Sequence, residues 1–226
     1  MKVLVTGGCG TTGSILVKLL KDSGYSVLVV DDLSSGSLEN LSKQGLSSRP
    51  VLPGLMPHLR RSESLSADDI IVITSDFTDD AVIRHAMLEK YDYIFHLAAN
   101  TDPICERAVA ESTDTNLFKT VALAHLAVKA GAKKFVFASA NLSCEEIDSN
   151  VDSFLKVQKL SCEMFLKQFY YHYKLNSASV RMSSNSNANA TAMLEYCKND
   201  KKGAWVYNID LEPEKQSSMH RSENGQ

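Results

Sequence analysis

A glycine-rich turn near the amino terminus constrains the fold of this chain more than any other feature. It follows a short apolar run at residues 3–5 and precedes a segment, residues 15–20, in which apolar side chains recur with helical spacing. Gly24 stands where that helix would end, and a second apolar run covers residues 27–30. A strand, a tight turn, a helix and a second strand in this order predict the first β-α-β unit of a parallel sheet.

Three glycines of this turn, Gly7, Gly10 and Gly13, have the spacing GxxGxxG. In a strand-turn-helix unit such glycines permit the tight turn, let a pyrophosphate approach the backbone and let the helix pack closely on the strand. Thr11 and Thr12 lie at the start of the predicted helix, where free N–H groups and a partial positive charge attract phosphates. The turn therefore predicts a dinucleotide-binding site that includes these five residues.

An acidic pair, Asp31 and Asp32, ends the second predicted strand, and both residues are expected to contact the cofactor. Asp31 lies 18 residues after Gly13, close to the roughly 20 expected for the acid that binds ribose hydroxyls. A carboxylate there repels a 2′-phosphate, and residues 32–36 contain no arginine or lysine that would hold one. The sequence therefore predicts NAD rather than NADP. Two alternatives stay open: a glycine turn without a ligand, and a basic residue such as Lys43 that folds back onto the site.

Apolar strands and amphipathic helices alternate along most of the remaining chain. This alternation predicts an α/β fold, a Rossmann-type doubly wound parallel sheet in a single domain over residues 1–181. Residues 33–69 are predicted to form a long inserted loop with one short helix, residues 182–210 a reduced C-terminal substrate region with a late strand, and residues 211–226 a disordered tail. Further strands are predicted at 70–73, 93–97, 135–138, 178–181 and 205–209, and further helices at 37–44, from 78, and at 113–129, 152–173 and 191–198.

Composition excludes several other classes of protein. The formal net charge of −3 makes a surface that binds nucleic acid improbable. No apolar run approaches the roughly 18–20 residues of a membrane span, which argues against a membrane protein. The five cysteines are widely spaced and form no CxxC pair, so we expect reduced thiols and a cytoplasmic location.

Four segments together resemble a known family, the extended short-chain dehydrogenase/reductases of the NAD-dependent epimerase/dehydratase group. They are MKVLVTGGCGTTGS at the start, VLVVDDLSSG over 27–36, FHLAAN over 95–100 and FVFASA over 135–140. The resemblance implies a Rossmann fold, NAD as the cofactor and a nucleotide-sugar as the substrate, and it allows a homodimer or a partner protein. Thr11 and Thr12 depart from the bulkier apolar pair common in these enzymes.

The resemblance also assigns cofactor contacts beyond the glycine turn. It implies that Asp76 and Phe77 hold the adenine and that Asn116 helps to shape the active site. Simpler interpretations stay open, because Asp76 suits a turn and Asn116 suits a hydrogen bond to local backbone. His96 is interpreted as a core histidine rather than a catalyst. Three further residues would line the cofactor behind the fourth predicted strand: Leu97, Ala98 and Ala99.

The catalytic pattern that the family implies is incomplete. It requires a tyrosine, a lysine four residues later on the same helix face, and a serine or threonine after the fifth strand. The run KLSCE identifies Lys159 as the lysine, which the resemblance implies also holds the nicotinamide ribose of the cofactor. Leu155, however, stands at the tyrosine position and Ala140 at the hydroxyl position. The pair Tyr170 and Lys174 repeats the spacing about 22 Å further along the helix, too far from the site to replace it.

These departures leave three hypotheses. The first is a pseudoenzyme that binds NAD and acts as a binding or scaffolding module. The second is an active epimerase, dehydratase or reductase with unusual groups, for example Ser139, Ser143 or Lys159. The third is a degenerate paralogue without activity. The sequence after the sixth strand also has few residues for a substrate lobe, which favours the first hypothesis over the second.

Overall fold

A computed structural model describes residues 1–53, 69–141 and 152–209 of the chain. Its centre is one sheet of eight strands, all of whose neighbouring pairs are parallel, in the order β3-β4-β2-β1-β5-β6-β7-β8. The strands are β1 (Lys2–Thr6), β2 (Ser26–Val30), β3 (Ser48–Val51), β4 (Ile70–Ile73), β5 (Tyr93–His96), β6 (Lys134–Ser139), β7 (Ser177–Arg181) and β8 (Ala204–Asn208).

Helices cover both faces of this sheet. They are α1 (Thr11–Asp22), α2 (Leu38–Lys43), α3 (Asp80–Glu89), α4 (Asp102–Arg107), α5 (Val109–Thr113), α6 (Thr120–Ala130), α7 (Phe154–Tyr173) and α8 (Ser186–Lys198), with a π-helical segment, Asp114–Lys119, between α5 and α6. One apolar cluster joins the sheet to α1, α2 and α8, and a second joins it to α3, α6 and α7. Apolar side chains on both faces of the strands explain this arrangement, and the predicted Rossmann-type doubly wound fold is confirmed.

The fold places the carboxyl ends of several strands around one crevice. β1 lies between β2 on one side and β5 on the other, so the strand order reverses direction at β1. Ligands of doubly wound folds bind outside the carboxyl ends of the strands at such a switch point. The glycine turn follows β1 directly and therefore lies at this crevice.

The region predicted as a long loop contains more structure than we expected. Helix α2 matches the predicted short helix, but the edge strand β3 was missed. Its sequence, SRPV, is short and contains proline, and two of its four residues are exposed, so no apolar pattern marks it as a strand. Residues 54–68 of the predicted loop lie outside the described residues.

Two helix starts also differ from the predictions. Helix α8 begins at Ser186 rather than 191, because the Asn185 side chain accepts hydrogen bonds from the N–H groups of Asn187 and Ala188. The asparagine-rich stretch over residues 185–189 thus forms the helix cap and the first helical turn. The helix predicted over 113–129 is preceded by α5 and contains the π-helical segment. The predicted tail, residues 211–226, lies outside the described residues.

The described ranges contain neither a membrane-spanning helix nor a cluster of metal-ligating side chains. Among residues 1–53, 69–141 and 152–209, no helix has the length and apolar character needed to cross a bilayer. Within the same ranges, no group of three histidine, cysteine or acidic side chains is placed to hold a metal ion.

Candidate cofactor-binding site

Two connected cavities form a groove at the carboxyl ends of the strands. The first, which we call the acidic cavity, is lined by Asp31, Asp32 and Asp76. The second, which we call the lysine cavity, is lined by Lys159 among other residues of β6 and α7. Six residues line both and so make the groove continuous: Gly7, Gly10, Ser35, Leu97, Ala99 and Asn100.

Packing within the protein explains two glycines of the turn. Gly7 has φ +72°, and a Cβ there would lie 2.5 Å from the backbone nitrogen of Ala98. A Cβ on Gly13 would lie 2.1 Å from the carbonyl oxygen of Gly7. Side chains at either position would therefore push β5 or α1 away from the turn.

Gly10 differs from both of them. Its φ is −72°, a value open to any residue, and the nearest atom to a Cβ there would be the Gly7 oxygen at 3.4 Å. The protein's own packing thus leaves room for a side chain at Gly10, and that room faces both cavities. A glycine here suits the close approach of a ligand's phosphate to the backbone. The residues present therefore fit a dinucleotide.

Helix α1 starts immediately after Gly10 and directs its amino terminus into the groove. Thr11, Thr12 and Gly13 form its first turn and line the lysine cavity. Because Gly10 has no side chain to cap the first N–H groups, those groups and the positive end of the helix dipole remain available to an anion. The structure thus places the predicted pyrophosphate residues together.

Asp31 joins the loop after β2 to the glycine turn. The side chain is 7% exposed, and its carboxylate accepts hydrogen bonds from the N–H groups of Cys9 (2.8 Å) and Leu33 (2.9 Å). Burial raises the pKa of Asp31, and these two hydrogen bonds offset part of that rise. Two acceptor positions of the carboxylate are used by backbone, and the others remain for ribose hydroxyls in the acidic cavity.

The loop after β2 contributes cavity residues that sequence reasoning missed. Ser34, Ser35 and Gly36 line the acidic cavity, and a Cβ on Gly36 would lie 2.7 Å from the carbonyl carbon of Cys9. The close contact shows why glycine follows the two serines. The sequence SSG, which follows the acidic pair after Leu33, was the available signal.

The charges around the acidic cavity agree with the predicted preference for NAD. Its described lining contains three aspartates and no lysine or arginine. Lys43, which could have folded back, instead pairs with Glu39 on the exposed side of α2 at 3.1 Å. A 2′-phosphate would enter a negative environment here without a cation to hold it.

Asp76 lies at the far end of the acidic cavity and is held by two neighbours. One carboxylate oxygen accepts hydrogen bonds from the N–H and hydroxyl of Thr78, and the other accepts one from Lys119 Nζ at 2.7 Å. Burial alone would raise the pKa of Asp76, but the hydrogen bonds from Lys119 and Thr78 outweigh it and lower the pKa below its usual value. Asp76 is therefore a carboxylate at neutral pH and can accept a hydrogen bond from a base amino group.

Two residues beside this cavity serve the core. Phe77 lines the cavity and packs edge-on against His96, with ring centroids 4.8 Å apart. His96 is fully buried and hydrogen-bonds the hydroxyls of Thr6 (2.6 Å) and Thr120 (2.7 Å). Burial, with the nearby charge of Lys159, lowers the pKa of His96 well below its usual value. The interpretation of His96 as a satisfied core histidine is confirmed.

The structure places Asn116 behind the groove rather than in its lining. Its side chain accepts from the N–H of Asn100 (2.8 Å) and donates to the carbonyl of Asn100 (3.0 Å) and to Gln158 (2.8 Å). It therefore fixes the backbone that follows β5, which agrees with the simpler interpretation. Thr115, its neighbour on the π-helical segment, lines the acidic cavity instead. π-helical turns are frequent at functional sites.

Lys159 has an apolar surrounding in the lysine cavity. It is 5% exposed, donates a hydrogen bond to the carbonyl oxygen of Ala138 at 2.9 Å, and lies 4.7 Å above the centre of the Phe137 ring. Burial lowers the pKa of Lys159 to about 8. Leu155 and Ala140 line the same cavity, so the two positions that the resemblance assigns to the tyrosine and the hydroxyl face the groove.

Ser139 is held by a buried ion pair. Its hydroxyl donates to the Glu163 carboxylate at 2.6 Å, and Arg181 binds the same carboxylate through two nitrogens, at 3.1 and 2.8 Å. Both charged side chains are 5% exposed or less. Ser139 lines the lysine cavity, whereas Tyr170 and Lys174 line neither cavity.

The doubly wound sheet, the glycine turn at its switch point and the acid at the end of β2 define a dinucleotide-binding protein of the Rossmann class. Comparison with known proteins identifies the family. The profile of the "NAD dependent epimerase/dehydratase family" matches residues 3–192, and the chain belongs to this family. The predicted family and its cofactor class, NAD, are confirmed.

The relatives that match the chain include several epimerases. UDP-glucose 4-epimerase of Mycolicibacterium smegmatis is 30% identical over 194 residues, which cover 80% of this chain and 55% of that protein. UDP-glucose 4-epimerase of Caenorhabditis elegans is 31% identical over 149 residues, or 62% of this chain and 38% of that protein. The solved structure of Thermotoga maritima UDP-glucose 4-epimerase with UDP-glucose is 29% identical, with a TM-score of 0.62, and covers 80% of this chain and 55% of that one. The chain spans about half the length of these relatives or less.

Proposed function

We propose that this chain binds NAD(H) and lacks the standard acid–base groups of its family, so that it acts as a binding or scaffolding module. One contrast carries the proposal. Gly10 and Asp31 line the part of the groove that suits the pyrophosphate and the adenosine ribose. Leu155 and Ala140 stand at the positions where the family's reacting side chains would face the groove.

Each part of NAD has residues that would hold it. The turn from Gly7 to Gly13 and the start of α1 suit the pyrophosphate, and Asp31 suits the adenosine ribose. Asp76 would accept from the adenine amino group, and Lys159 would donate to the nicotinamide ribose. When bound, NAD would itself act as a hydride acceptor.

The chain's own residues supply little proton transfer in this groove. Leu155 has no ionisable proton, and Ala140 has no hydroxyl that could bind a substrate. A positioned acid or base typically contributes about 10²–10⁴ to a rate, so the loss of both groups removes most of the family's catalysis. We expect no turnover of UDP-galactose, UDP-glucose or dTDP-glucose above background.

A second function has one observation in its favour. Lys159, whose pKa burial lowers to about 8, and Ser139, whose hydroxyl is held by Glu163, both line the lysine cavity. An amine near neutrality and an oriented hydroxyl are the kinds of group that acid–base chemistry uses. The alternative is therefore an active epimerase, dehydratase or reductase of nucleotide-sugars with these groups.

An apolar stripe on α7 supports the expectation of a homodimer or a protein partner. Phe154, Val157, Met164 and Phe165 recur with helical spacing and are each between 46 and 62% exposed. An exposed stripe of this kind is typical of an interaction surface. Analytical ultracentrifugation should show self-association that Phe165→Glu reduces. If the protein is a monomer at all concentrations, the homodimer is rejected and only a different protein partner could cover this stripe.

Two measurements test the main proposal. Titration with NADH, followed by fluorescence, should show saturable binding that is tighter than that of NADPH. A turnover screen with the three nucleotide-sugars should then show no product. Absence of NADH binding would favour the degenerate paralogue, and robust turnover would favour the alternative with non-standard groups.

A further inference from the structure

Lys159 is unusual among the lysines of the described residues because it is buried beside a cavity. Its Nζ donates to one carbonyl oxygen, that of Ala138, and it forms no ion pair with the described acidic side chains. Lys156, one turn earlier on α7, lines the same cavity but pairs with Asp152 at 2.8 Å. The two amines therefore line the same cavity, but only the amine of Lys156 has a carboxylate partner.

The groups that pack around Lys159 favour the neutral amine. The thiols of Cys105 and Cys162 lie near it and stabilise its charge only weakly, while burial opposes that charge. His96 is held neutral by its own burial, and Glu163 is occupied by Arg181. Because burial lowers the pKa of Lys159 to about 8, a much larger share of this amine is neutral near pH 7.5 than of an ordinary lysine.

We propose that the lysine cavity is a carbonyl-capturing site, in which the Lys159 amine forms a reversible imine with an aldehyde ligand. A desolvated lysine in an apolar pocket is the usual arrangement for imine formation in proteins. Leu97, Ala138, Ala140 and Leu155 are among the residues that line this cavity, so an aldehyde would meet apolar side chains there. Asp102 and Lys156 also line it, and Lys156 pairs with Asp152.

The step balances without a further reactant. The nitrogen lone pair attacks the carbonyl carbon, and a proton from nitrogen moves to the carbonyl oxygen to form a carbinolamine. Loss of that hydroxyl as water leaves a carbon–nitrogen double bond. One amine and one aldehyde become one imine and one water, and hydrolysis reverses the step.

Labelling with pyridoxal 5′-phosphate and borohydride tests this site in the full chain. The probe is an aldehyde whose phosphate suits the glycine turn, and this choice of probe rests on the proposed function. Peptide mass spectrometry should show pyridoxyl-Lys159 forming at least about tenfold faster than the adduct at Lys156 or Lys167 at pH 7.5. The rate at Lys159 should rise as the pH passes through 8.

Two variants keep the test specific. Lys159→Arg keeps the charge but cannot form the imine, so the fast adduct should disappear. Lys167→Arg, an exposed position on the same helix, should leave the adduct at Lys159 unchanged. Saturating NADH should slow labelling at Lys159. Labelling spread evenly over the surface lysines, or a fast phase that survives Lys159→Arg, would overturn the proposal, whereas failure of the NADH titration alone would overturn only the proposed function.

Discussion

The two cavities of the groove differ in the functional side chains that line them. The acidic cavity has its glycine turn and the carboxylates of Asp31 and Asp76, both held by hydrogen bonds to neighbouring backbone or side chains. The lysine cavity has Lys159 but presents apolar side chains at Leu155 and Ala140. In this chain the groups suited to hold a dinucleotide are therefore present where two groups expected to move protons are not.

The physical reason lies in the elements that build each cavity. The acidic cavity is formed by the ends of β1, β2 and β4, and its residues are also packing residues, as Gly7 and Asp31 show. Ala140 follows β6 and Leu155 lies in the first turn of α7, and both side chains line the lysine cavity. We expect substitutions at these two positions to change the chemistry of the cavity more than the packing of the sheet.

The largest effect is expected at Gly10, which tests whether the cofactor uses this turn. Gly10→Val should weaken NADH binding by at least about 100-fold, or about 2.8 kcal/mol, because the new side chain would fill the space above the turn. Fluorescence titration measures the loss, and thermal unfolding should show a retained fold. Gly13→Ala is the contrasting variant and should unfold the protein, since its Cβ would overlap the Gly7 oxygen. Normal binding by a folded Gly10→Val protein would place the cofactor elsewhere.

Asp31 tests the specificity of the acidic cavity. Asp31→Ala should weaken NADH binding about tenfold or more and reduce the preference over NADPH, because it removes the acceptor of the ribose diol. Titrations with both cofactors measure the ratio. Asp32→Ala, at the exposed neighbour, is the matched control and should change the ratio less. Equal affinity of the unmodified protein for both cofactors would contradict the role given to Asp31.

Lys159 tests whether the lysine cavity still contributes to binding. Lys159→Met should weaken NADH binding several-fold, because it removes the ammonium that would donate to the nicotinamide ribose. The same variant should change how stability depends on pH. Because burial lowers the pKa of Lys159 to about 8 in the folded chain, its charge costs folding free energy in full below pH 8.

That cost should fall as the pH rises from about 8 towards 10.5, since the unfolded chain binds the extra proton in this range. The stability of the unmodified protein relative to Lys159→Met should therefore rise by up to about 1.4 kcal/mol per pH unit. Urea unfolding at pH 7, 8.5 and 9.5 measures this difference. A difference that stays constant over the range would show that Lys159 titrates as an ordinary lysine.

The smallest effect is expected at Lys119, which holds Asp76 from the π-helical segment. Lys119→Met should weaken NADH binding only a few-fold. Asp76 loses its ion pair with Lys119 but keeps its hydrogen bonds from Thr78. Lys133→Met is a matched control, since Lys133 forms a similar ion pair with Asp92 at 2.8 Å. A comparable loss of binding in Lys133→Met would show that the effect at Lys119 is not local.

Much of the acidic cavity could be predicted from the sequence because its residues are close together along the chain. The glycine turn and Asp31 belong to one β-α-β unit, whose geometry follows from local spacing. The serines that follow Asp31 were missed as lining residues, since their position depends on the contact between Gly36 and Cys9. The strand β3 was missed because an exposed edge strand needs no apolar pattern.

The sequence by itself determined the doubly wound class, the glycine turn, the acid at the end of β2 and the absence of a tyrosine and a hydroxyl at Leu155 and Ala140. These features depend on residue type and local spacing. Only the tertiary structure decided that Asn116 supports Asn100 from behind the groove and that Ser139 is held by Glu163 and Arg181. Such contacts join residues distant in sequence, and the burial that lowers the pKa of Lys159 likewise arises only when α7 packs against β6.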